Sequence, residues 1–132
     1  MTPVQIAPFV AAGLFILVTL IMVFKPSAFP KKGLWRLPAL FAFAFLAWSV
    51  FAVLQEGPLG FWTEHTRNLW GNQIWFDLLI AIGIGWALII KRARAVEMKL
   101  PLWLLITILT GCIGFSAMLS RLLYLEEKEA GA

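Results

Sequence analysis

Four apolar runs separated by three polar stretches organise this chain: residues 6–24, 37–54, 74–90 and 102–119, the last extending in helical register to about 125. Each is close to the roughly 17–25 residues that a helix needs to cross a bilayer. None keeps the strict alternation of a half-buried strand throughout. A helix satisfies its backbone polar groups within one segment, which hydrocarbon demands. The pattern therefore predicts an all-α fold: an integral membrane four-helix bundle in one transmembrane domain, residues 1–132. Its helices fall at about 6–24, 37–54, 74–90 and 102–125, with a longer loop over 55–73. Pro26, Pro30, Pro38 and Pro101 mark two short connections, which make successive helices antiparallel neighbours. No basic residue precedes the first run and no small-residue cleavage site follows it, so it is expected to stay as a span.

Composition agrees. Hydrophobic residues make up 61% of the chain and charged ones 14%, against about 25% charged in an ordinary soluble domain. Too few polar residues remain to cover a water-facing surface. The net charge of +4 would suggest nucleic acid in a soluble protein. Here the cations flank apolar runs, so membrane lipids with anionic head groups are the expected partner and nucleic acid is not. Eight of the eleven basic residues lie in two stretches: Lys25, Lys31, Lys32 and Arg36, then Lys91, Arg92, Arg94 and Lys99. Arg67, Arg121 and Lys128 fall on the opposite side of the expected bundle. The positive-inside bias then puts both basic loops in the cytoplasm and both termini on the non-cytoplasmic side, in a bacterial inner membrane. Trp35 and Trp103 come at the inner interface, Trp62, Trp70 and Trp75 at the outer one, where indoles settle. Trp48 and Trp86 lie deeper.

Chemistry-bearing residues are few. One cysteine, Cys112, excludes an internal disulfide. One histidine, His65, excludes a bis-histidine haem within one chain. Asp77 stands near the outer end of the third run, and a carboxylate at bilayer centre costs ~2.5–3.5 kcal/mol, less near an interface. Arg121 is its expected partner. Gln73, Asp77, Ala81, Ile84 and Leu88 share one face, while Thr107, Thr110, Gly111, Gly114, Met118 and Arg121 form a stripe on the fourth helix. If the two stripes meet, Asp77 and Arg121 form either a structural ion pair or a ligand-orienting polar site. Trp62, Glu64, His65, Trp70, Asn72, Gln73 and Trp75 would make its pocket or lid. Glu64, His65 and Asp77 carry metal-binding atoms, but their spacing fits no standard metal motif; no metal and no cofactor is expected. Gly83 and Gly85 read as packing residues. No segment carries a catalytic signature, and no catalytic residue is assigned.

Residues 70–77 (WGNQIWFD), the basic loop after them, and the stretch from Gly111 and Gly114 to Arg121 and Leu125 resemble a bacterial family of small membrane proteins of unknown function. They are also distantly similar to the membrane protein family required for neoxanthin synthesis in plants. In both, a helix opening with an aspartate is followed by a basic loop and a glycine-containing helix ending near an arginine. The resemblance covers residues 70–127. Asp77 and Arg121 match. It implies the helical topology and, through the second family, carotenoid or isoprenoid chemistry.

Three functions are open on this reading. The chain binds or modifies an apolar ligand (carotenoid, isoprenoid or lipid) at the outer leaflet; or it is a non-catalytic accessory subunit of a larger membrane complex or a homo-oligomer; or it is a small transporter or channel. The apolar first helix, whose run holds Thr19 as its one polar side chain, puts the third behind the others.

Overall fold

The computed structural model describes residues 2–30 and 32–131, and every element in it is helical. Lys31, counted above in the first basic stretch, lies outside the described residues, as do Met1 and Ala132. Three helices are long and apolar enough to cross a membrane, which makes this an integral membrane protein. The chain falls into two compact units that divide between Lys32 and Gly33.

The first unit is essentially one helix, α1 (Pro3–Phe24). Pro3 sits at its first position, where a missing N–H costs nothing. The Thr2 N–H donates to Oε1 of Gln5 at 2.9 Å, half of a capping box. Thr19 sends its hydroxyl back to the Phe15 carbonyl at 2.8 Å, which leaves no unpaired polar group on an apolar surface. Lys25 caps the end, and Pro26 opens a short 3₁₀ turn.

The second unit holds α2 (Arg36–Glu56), α3 (Gly60–Thr66), α4 (Leu69–Ala95), α5 (Leu100–Thr110) and α6 (Cys112–Ala130). Helix α2 ends at Gly57, whose φ of 86° no side chain favours, and Pro58 follows. Helix α4 starts under Asn68, whose side chain accepts the Gly71 N–H at 2.8 Å. It ends in a Schellman turn. The Met98 N–H donates to the Ala93 carbonyl at 3.0 Å and the Glu97 N–H to that of Arg94 at 3.1 Å. Glu97 takes the left-handed position (φ 55°) that glycine normally fills. Met98 and Ala93 then pack in the core, the apolar contact that accompanies this motif.

The fourth apolar run corrects the sequence reading. It is not one helix over 102–125 but two, broken at Gly111. Leu100 and Trp103 from α5 and Leu119, Leu122 and Leu125 from α6 pack in the same core cluster as Ala93, Val96 and Met98. In one straight helix Leu100 and Leu122 would be about 33 Å apart. The two helices therefore form a hairpin, and α6 returns to the end from which α5 set out. Gly111 makes the reversal with φ 59° and ψ −128°, a conformation open to glycine. Gly114 lets the arms meet: a Cβ there would come within 2.8 Å of the Ile106 carbonyl oxygen. The hydroxyls of Thr107 and Thr110 donate to the carbonyls of Trp103 and Ile106 at 2.8 and 2.7 Å. Helix α5, with 11 residues, is about 16 Å long, half of a hydrocarbon core.

Helix α6 lies between α2, α4 and α5. Gly114, Met118 and Leu122, spaced by four, form its buried stripe. Against α4, Phe115 fills the space left by the missing side chain of Gly85. The other boundaries shift outward from those expected: α2 covers 36–56 rather than 37–54 and α4 covers 69–95 rather than 74–90.

Candidate functional site

Two polar regions stand at opposite ends of the second unit. The first is the corner between α3 and α4, where the sequence placed its candidate pocket. Helix α3 folds back against the first turns of α4. Asn72 donates from Nδ2 to the His65 carbonyl at 2.6 Å. The His65 ring lies 4.8 Å from the Trp75 ring, and Phe61 lies 6.2 Å from it. Gly71 faces the Glu64 and His65 carbonyls so closely that a side chain there would push α3 away. Thus His65, Asn72 and Trp75 do come together, as a helix–helix contact. Glu64 pairs with Arg67 at 3.4 Å, with both side chains largely in solvent. Trp62 and Trp70 project from the surface, 58% and 77% exposed. A hollow lined by Leu69, Trp70 and Gln73 is open; these aromatics do not close over it as a lid. No cluster of His, Cys, Asp or Glu among the described residues could hold a metal ion.

Asp77 and Arg121 are not brought together. Gln73 reaches Asp77 at 3.5 Å from the preceding turn. Asp77 is exposed on α4, flanked by exposed Phe76 and Ile80. Among the described residues, the ion pairs are Arg67–Glu64 and Arg92–Glu126. Arg121 lies instead over the Tyr124 ring, its Cζ 5.6 Å from the centroid. The hairpin is the cause, because it carries Arg121 to the far end of α4 from Asp77. The two stripes do not meet: the α4 face of Gln73, Asp77, Ala81, Ile84 and Leu88 is exposed throughout, and α6 packs instead on the neighbouring face that carries Gly85, Ile89 and Ala93.

The second polar region was not legible as a site in the sequence. The last turns of α6 tie the start of α2 to the end of α4. Glu126 accepts from Nε of Arg92 at 2.7 Å and from the second guanidinium nitrogen, a bidentate pair. Glu127 accepts the Gly33 N–H at 2.7 Å. Ser120 donates to the Trp35 carbonyl at 2.9 Å, and Tyr124 meets the Trp35 ring edge-on at 5.7 Å. The helical spacing explains the division of labour: Ser120, Tyr124 and Glu127 share the face toward α2, whereas Met118, Leu122 and Glu126 share the face toward α4. That spacing was the available signal. It has meaning only once α6 is known to return.

The hairpin also redistributes charge. Arg121 and Lys128 join Arg36, Lys91, Arg92, Arg94 and Lys99 at one end, so seven of the eight basic residues in 33–132 lie there. Arg67 alone is at the other.

No family model, curated protein or solved structure matches this chain.

Proposed function

We propose that this protein is a non-catalytic accessory subunit, embedded in a bacterial inner membrane beside a larger partner. The basic end of the second unit faces the cytoplasm, by the positive-inside rule. The α5–α6 hairpin then enters and leaves on the cytoplasmic side, and α6 ends there. Asp77 carries the reading. Counting about 20 residues back from Lys91, at 1.5 Å each, puts the outer edge of hydrocarbon near Gly71 and Asp77 about 9 Å inside it. An exposed carboxylate at that depth needs a partner. The remaining cations of the second unit lie at the other end or, in Arg67, already face Glu64. Residues 4–24 contain no basic residue, so α1 supplies none. A cation on a transmembrane helix of another protein answers this need.

Ligand binding at the outer leaflet, including the carotenoid or isoprenoid chemistry implied by the resemblance of residues 70–127, is the second reading. The exposed apolar surface of Trp62, Leu69 and Trp70 favours it, and the open form of the hollow lined by Leu69, Trp70 and Gln73 counts against a closed binding pocket.

The test is Asp77→Leu, purified in mild detergent beside the parent chain. The accessory reading expects unchanged or higher thermal stability of the isolated chain, because an exposed carboxylate leaves an apolar face. It also expects loss of a stoichiometric protein partner by native mass spectrometry. A drop in the stability of the isolated chain, or an apolar molecule bound at one per chain in both proteins, contradicts it.

A further inference from the structure

We propose that the start of α2 and the end of α6 form a binding site for the phosphate of an anionic phospholipid. Two guanidinium groups there lie on aromatic rings and not on carboxylates. The Cζ of Arg36 is 5.5 Å from the Trp35 ring centroid and that of Arg121 is 5.6 Å from the Tyr124 ring centroid. The two rings touch edge-on, so cation, ring, ring and cation belong to one cluster. The acidic neighbours are occupied or turned elsewhere. Glu126 holds Arg92, and Glu127 takes the Gly33 N–H; neither forms an ion pair with Arg36 or Arg121. Glu129 lies a turn beyond on the exposed tail of α6.

A hollow opens beside the rings, lined by Trp35, Tyr124, Glu127, Lys128 and Gly131. Arg36, Arg121 and Lys128 set three positive charges against the one of Glu127. Stacking leaves guanidinium edge N–H groups free to donate, and their planar fork matches a phosphate's oxygens. Tryptophan and tyrosine settle where the acyl carbonyls of a lipid begin. A phosphate held between cations, with rings just below it, is how basic pockets between transmembrane helices take anionic head groups. Cations attached only to bulk surface charge would not need this framework.

Retention of phosphatidylglycerol by the purified full chain, measured by native mass spectrometry against phosphatidylcholine with the same acyl chains, tests the site. The variants are R36Q/R121Q and, as a control of equal charge at the same end, K91Q/K99Q. The proposal expects about tenfold weaker retention of phosphatidylglycerol in the first pair and no more than about a twofold change in the second. Equal losses in both pairs, or equal retention of phosphatidylcholine by the parent chain, would overturn it. Displacement of the lipid by inorganic phosphate would assign the site to the free anion and also overturn it. Unfolding temperatures of both pairs guard the comparison. If R36Q/R121Q is unstable, R36K/R121K decides: keeping the charge but not the planar fork should still weaken retention, and full retention would contradict a guanidinium site.

Discussion

Helix α4 and the fourth apolar run look alike in sequence, yet one crosses and the other turns back. Both are rich in leucine and isoleucine, and both carry two glycines close together, Gly83 and Gly85 or Gly111 and Gly114. In α4 the glycines stay helical. Gly83 faces open space, and Gly85 receives the Phe115 ring. In the fourth run Gly111 leaves the helix, and the threonines before it turn their hydroxyls onto their own backbone. A glycine in a membrane helix therefore permits a turn without dictating one. What selects the turn is a second glycine three residues on, where the arms touch, and an amphipathic continuation able to pack on both faces.

The sharpest way to break this contrast is Gly111→Val. A β-branched residue cannot take a φ of 59° without strain, and the cost should be about 2–3 kcal/mol, read as a fall in thermal unfolding temperature in detergent. Gly114→Ala should cost somewhat less, about 1–3 kcal/mol, because its methyl meets the Ile106 carbonyl. Set beside it, Gly83→Ala should lie within about 0.5 kcal/mol of the parent or be stabilising, since nothing stands in its way and alanine favours the helix. Equal losses from these two changes would mean that the hairpin contact does not matter. A loss smaller than that of Gly111→Val or Gly114→Ala is expected from Glu126→Gln. The Arg92–Glu126 pair is bidentate, but its side chains are 49% and 31% exposed, so the cost is at most about 1 kcal/mol and should shrink as salt is added.

The sequence made the membrane class and the three crossing helices legible, because run length and charge placement respond directly to the bilayer. It also brought His65, Asn72 and Trp75 into one loop region, and they do meet. It missed the reversal at Gly111 because averaged hydropathy is the same for a span and for a buried hairpin of equal apolar content. That one miss moved everything after it. The expected pairing of Arg121 with Asp77 fails twice over: the α4 face that carries Asp77 stays exposed, and the hairpin takes Arg121 to the other end of α4. Ser120, Tyr124, Glu126 and Glu127 carry no role in the sequence reading, though they tie three elements together. Even the charge bias was understated, since Arg121 and Lys128 had been counted on the wrong end.

The direction of α6 can be measured directly. Single cysteines at Lys128, Lys99 and Thr63, each introduced into the Cys112→Ala chain, are labelled with a membrane-impermeant thiol reagent on sealed vesicles of known orientation. The hairpin places Lys128→Cys and Lys99→Cys on the same side and Thr63→Cys on the other. Labelling of Lys128→Cys together with Thr63→Cys, opposite Lys99→Cys, would show a fourth crossing and contradict the account.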